Sequence, residues 1–159
     1  FKNSEDLLRT LYLETSQKYG GYSGSRISEE TPLEAFLQNI RFSLDEYLEC
    51  REDMALLTTL SLFGRTFGEA SENLFGETFC KKEIALLAEA QRQGQGRDDL
   101  PVEEVFRFLA ALCSSYLRRI ALMTEREYQE QKEMISWQKR ELLAMIHAYL
   151  TGHLPYPHP

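Results

Sequence analysis

Few side chains in this sequence are of the types that do chemistry, and their spacing argues against most of it. The three histidines are His147, His153 and His158. The residues three before them are Ala144, Leu150 and Pro155, so the Glu-x-x-His pair that di-iron bundles project inward is missing. His147 and His153 are six apart, which sets them on different sides of a helix. His153 and His158 border the Pro-rich tail 154–159. Too few ligands converge to expect a metal, and no cofactor is expected. The three cysteines, Cys50, Cys80 and Cys113, are unclustered and read as small buried residues. Cys–His catalysis would need the fold to bring such a pair together. The acid pairs Glu29-Glu30, Asp98-Asp99 and Glu103-Glu104 fall at helix starts or loops, where capping and solvation explain them. Gly94-x-Gly96 lacks the third glycine of a dinucleotide loop and follows a helix, not a strand. The chain reads as a non-enzyme.

What remains is aromatic: nine Phe, eight Tyr and one Trp. Phe36, Phe63, Phe67, Phe75, Phe79, Phe106 and Phe108 fall on the middle helices. Such residues usually make plain core, but they can also line an apolar cavity between helices. Gly64, Gly68 and Gly76 lie in the same region, where glycine is costly to a helix and can mark bends that open space. Phe36, Ile40, Phe63, Phe67, Phe79, Phe106, Cys113 and Tyr116 are the candidate cavity residues. Few charges fall on those faces, which predicts an apolar or lipid-like occupant.

The elements that must position these residues are helices. The first is predicted from about Ser4 to Tyr19, capped by Asn3 with Asp6 three residues on. Gly20 to Ser25 forms a loop. Thr31-Pro32 opens a second helix with the face Leu33, Phe36, Leu37, Ile40, Leu44, Tyr47 and Leu48. A third is predicted from Met54 to Phe67 and a fourth from about Ser71 to Gln93. Gly94 to Pro101 breaks the chain, and a fifth helix follows with Glu103 and Glu104 in its first turn. It has two apolar rows, Val102-Phe106-Leu109-Cys113-Tyr116-Ile120 and Val105-Phe108-Leu112, so it needs cover on two sides. The last helix is predicted from about Thr124 to Leu150, with Tyr128, Ile135, Leu142 and Tyr149 in a seven-residue repeat. Trp137 lies off that stripe. No strand pattern appears, so the fold class is all-α, a bundle of about six helices.

The 159 residues suit one compact domain, 43% hydrophobic and 27% charged. The net charge of −7 makes the chain a poor partner for a phosphate backbone. No apolar run approaches the roughly 20 residues that span a bilayer. The odd, unclustered cysteines fit a reducing cytoplasm.

Three stretches, Phe1 to Leu7, Leu87 to Val105 and Glu141 to Leu154, together resemble the TetR family of bacterial transcriptional repressors. In that family a Tyr-x-x-Phe-x-x-Lys-x-x-Leu run leads from the helix-turn-helix into the ligand-binding domain. Phe1 matches its Phe and Leu7 its Leu, while Ser4 stands where the family has Lys and Lys2 is the substitute phosphate contact. Leu87 to Val105 is similar to a family helix ending in Gly-x-x-Arg-x-Asp before a Pro-Glu-Glu start. Glu141 to Leu154 is similar to the family's closing Leu-rich helix, with His153 between the final Gly and Leu. The resemblance implies a linker helix over 1–19, joined to a DNA-reading domain absent from this chain, and a ligand-binding and dimerisation domain over 20–159. It implies a cytoplasmic homodimer, contacting no membrane, whose last two helices pair in a four-helix interface. Phe108, Leu112, Arg119, Leu142, Met145, Ile146 and Tyr149 are the residues expected there. A small apolar or amphipathic effector would enter the cavity and detune operator binding, with DNA met only through the absent domain. The alternative is a helical adaptor that binds protein and has no cavity. A third reading is an enzyme with a buried catalytic Cys, which needs a reactive thiol.

Overall fold

The computed structural model describes residues 6–8, 10, 11, 14, 15, 31–62 and 70–152, with side chains among them outside 57–80. These residues form six helices and no strand, an all-α bundle. Helix α1 is described at 6–8, 10, 11, 14 and 15. The others are α2 (Pro32–Glu49), α3 (Arg51–Leu62), α4 (Ala70–Arg92), α5 (Val102–Ala121) and α6 (Glu125–Leu150). None is long and apolar enough to cross a membrane among the described residues. The predicted cap of α1 at Asn3, and its predicted ends, lie outside those residues.

Two of the helices start on the same local device. At α2 the Thr31 hydroxyl accepts from the Glu34 N–H, and the Glu34 carboxylate accepts from the Thr31 N–H at 3.0 Å, with Pro32 just inside. At α6 the Thr124 hydroxyl and Glu127 exchange the same pair of bonds. Each capping box satisfies amide donors that a helix start leaves orphaned. The hydrogen bonds hold both Glu34 and Glu127 below the usual carboxylate range. Helix α3 begins three residues before the expected Met54, with Cys50 alone between it and α2. Its first turn is polar, carrying Glu52 and Asp53, which suits the positive end of the dipole and gives apolar periodicity nothing to register. Helix α4 runs unbroken through Gly76, and Gly64 and Gly68 lie outside the described residues.

The core gathers Leu33, Phe36 and Leu44 from α2, Leu87 and Ala90 from α4, Val105 and Leu109 from α5, and Leu142, Ile146, Tyr149 and Leu150 from α6. Helix α2 packs along α4 and α6, while α5 packs along α3 and α4. The seven-residue repeat of α6 therefore faces inward: Ile135, Leu142 and Tyr149 are buried within the chain, and Tyr128 is half-buried.

Two arginines clasp the ends of that seam. Arg97 lies over the Tyr149 ring, 4.4 Å from its centroid, and its own N–H donates to the Leu150 carbonyl at 2.7 Å. Gln91 holds the same loop by donating to the carbonyls of Arg97 at 2.9 Å and Leu100 at 3.1 Å. Gly94 takes a φ of 67°, which L side chains rarely adopt, so the Gly-x-x-Arg-x-Asp stretch is here a helix stop that docks on the end of α6. At the other end Arg51 donates to the Met123 carbonyl at 2.7 Å, pairs with Glu125, and sits 4.7 Å from the Tyr128 ring centroid.

Candidate functional site

The residue that least fits its surroundings is Glu83. It sits on α4 one turn before Leu87 and two before Ala90, on the face that α4 turns to the core. Only 2% of its surface is exposed. Asn39 of α2 donates its amide to Glu83 Oε1 at 3.0 Å. Oε2 is buried and has no hydrogen-bond partner among the described residues. Burying a carboxylate penalises its charged form, and this raises Glu83 to about 7. The Asn39 bond and the neighbouring Lys82 ammonium pull the other way and do not prevail. Among the described residues one carboxyl thus lies inside, between α2 and α4. Its spacing from Leu87 and Ala90 was the signal that would have found it.

The candidate cavity residues are only partly brought together. Phe36 is fully buried in the core, and Ile40, Phe106, Cys113 and Tyr116 pack around that core half-buried. Phe63 and Phe67 lie outside the described residues, as does the side chain of Phe79 and the whole of Lys2. Tyr116 donates its hydroxyl to the Ile135 carbonyl at 2.9 Å, and burial above all pushes its phenol up to about 12. Burial also pushes the Cys113 thiol up to about 11, which keeps it from being a thiolate nucleophile at neutral pH. Cys50 and Cys113 are free thiols. Among the described residues no three His, Cys, Asp or Glu side chains gather as a metal would require.

A cleft of about 370 Å³ opens elsewhere, at the α2–α3 junction, lined by residues such as Glu49, Cys50, Glu52, Asp53 and Glu125 around Arg51. None of the candidate cavity residues lines it. Its arginine is already committed to Met123, Glu125 and Tyr128, so it closes the end of the bundle.

The expected interface residues divide. Leu142, Ile146 and Tyr149 belong to the core of the single chain, with Ile146 at 0% exposure, so they leave almost no surface for a second subunit. Leu112 is half-buried against the same core. Phe108 and Met145 are each 49% exposed. Leu122, Met134 and Trp137 are exposed beside them and were not among the expected contacts, although Trp137 was noted as off the buried stripe. Met134, Trp137 and Met145 share one face of α6, and Phe108 and Arg119 share one face of α5, with Leu122 at its C-cap. The two faces adjoin, since Arg119 donates to the Gln138 side chain and the Phe108 ring lies 4.8 Å from that of Tyr149. The result is one outward face built by the last two helices, where exposed apolar side chains stand among charged ones such as Arg119 and Glu141.

No family model, no curated protein and no solved structure matches this chain.

Proposed function

We propose that this chain is the effector-sensing and dimerisation domain of a TetR-like transcriptional repressor. The observation that carries the reading is the outward face of α5 and α6, with Phe108, Leu122, Met134, Trp137 and Met145 exposed on it. Aromatic residues and Met exposed together mark surfaces that bind protein. The resemblance puts the contact between subunits on these same two helices. The net charge of −7 leaves DNA contact to a separate reading domain.

A coupling route follows from α5. Its inner row, with Leu109, Cys113 and Tyr116, faces the core, while Phe108, Arg119 and Leu122 look outward. One rigid helix therefore borders both the effector region and the partner. An effector that shifts α5 moves the interface directly, with the Tyr116–Ile135 hydrogen bond carrying α6 along. The effector must bind one subunit arrangement more tightly than the other for this to alter DNA binding.

Sedimentation velocity over a range of concentrations, read beside the emission of Trp137, the single tryptophan, tests the proposal. The expected outcome is a dimer whose dilution red-shifts the Trp137 emission. The double variant W137E/M145E is expected to be monomeric and folded. A monomer at every concentration overturns the dimer and puts the adaptor reading, in which this face binds a different protein, in first place.

A further inference from the structure

We propose that Glu83 is the polar anchor of a site for a cationic amphiphile, an alkyl- or arylalkylamine whose ammonium donates to Oε2 while its apolar part lies along the α2–α4 core. The inference rests on the effector-sensing reading and specifies the effector's chemistry. Three observations carry it. The carboxyl group is held in place, because Asn39 fixes Oε1 at 3.0 Å and leaves Oε2 as an acceptor with no partner among the described residues. A buried acceptor without a donor is costly, so a ligand that supplies a donor gains what the empty protein lacks. One helical turn away the neighbours are apolar: Leu86 and Leu87 from Glu83 along α4, and Phe36 from Asn39 along α2.

A cation fits better than a neutral donor. A hydroxyl can bond Oε2 but leaves the carboxylate's charge uncompensated inside the bundle, whereas an ammonium supplies both bond and charge. The net charge of −7 also draws cations toward the molecule from a distance. The apolar neighbours exclude a small, fully hydrated ion and favour an amine with a hydrocarbon body. Among the described residues the groups that bear on Glu83 are few. Asn39 on α2 is neutral, Lys82 on its own helix is exposed, and α5 brings Val105, Leu109 and the neutral Cys113 to the shared core. Since burial raises Glu83 to about 7, the carboxylate that the amine needs forms as pH rises through neutrality.

The test uses a matched pair of probes, 4-phenylbutylamine and 4-phenylbutan-1-ol, titrated calorimetrically into the intact chain and into Glu83→Gln. The wild type is expected to bind the amine at least about tenfold more tightly than the alcohol at pH 8, with the preference shrinking at pH 6. Glu83→Gln, which keeps shape and size, is expected to lose the preference and keep the alcohol's affinity. Equal binding of amine and alcohol by the wild type overturns the anchor and leaves a hydrophobic effector site standing. A preference that survives in Glu83→Gln also overturns it. Binding of neither probe by a dimeric wild type removes the anchor but not the dimer; binding of neither by a monomer removes the effector-sensing reading as well.

Discussion

The α2–α4 interior and the outer face of α5–α6 break the same rule in opposite directions. The interior holds a carboxylic acid among leucines and aromatics; the outer face holds a tryptophan, a phenylalanine and two methionines in solvent. In the first place a charge has been taken out of water, and in the second apolar area has been left in it. Both are unfavourable for an isolated subunit, and both become favourable when something binds: a donor in the interior, an apolar surface outside. Helix α5 lies between them, which is why the two departures belong to one device in the reading proposed above.

The contrast can be broken most forcefully at Ile146. If it is core of the single chain, Ile146→Ala removes about 2–5 kcal/mol of subunit stability, measured by urea unfolding at low protein concentration. A variant that unfolds like the wild type but dissociates would return Ile146 to the interface. The next effect is that of Glu83. Its proton is held more tightly in the folded chain, near pH 7, than at its ordinary value of 4.5. The stability it contributes is therefore complete below about 4.5, falls as pH rises toward 7, and is gone above that. Glu83→Gln should flatten this profile and gain on the order of 2–3 kcal/mol over the wild type at pH 8, with little difference at pH 4. Parallel pH profiles for the two proteins would mean that Glu83 is solvated. Thr124→Ala should cost about 1 kcal/mol through loss of the cap at the start of α6, with no change in oligomeric state. The smallest effect on the subunit belongs to Trp137→Ala: within about 0.5 kcal/mol on folding, because the side chain is 52% exposed, yet a weaker dimer by sedimentation. A large loss of subunit stability there would show that Trp137 packs inside.

The legible part of this molecule is the part settled within one or two turns of chain. The starts at Thr31-Pro32 and near Thr124 and the stop at Gly94 act between near neighbours, so their residues announce them, while the boxes that Glu34 and Glu127 complete were not read from the sequence. The start of α3 was missed because its first turn has no apolar residue to register. Of the candidate site, Phe36, Ile40, Phe106, Cys113 and Tyr116 were readable as apolar rows and do converge on one core. Glu83 was passed over because one acid in an apolar row is usually solvated, and only the α2 helix laid over it takes the water away.

The sequence by itself determined that the chain is helical, where most helices begin and stop, and that α5 carries more apolar surface than one neighbour can cover. Only the tertiary structure decided which surface is covered. The α6 repeat of Tyr128, Ile135, Leu142 and Tyr149 is equally suited to a second subunit or to its own bundle, and α2 and α5 take it. That choice leaves Met134, Trp137 and Met145 outside. The physical reason is range: caps and periodicity act over a few residues, while burial depends on neighbours distant in the sequence, here Asn39 upon Glu83 and Arg97 upon Tyr149.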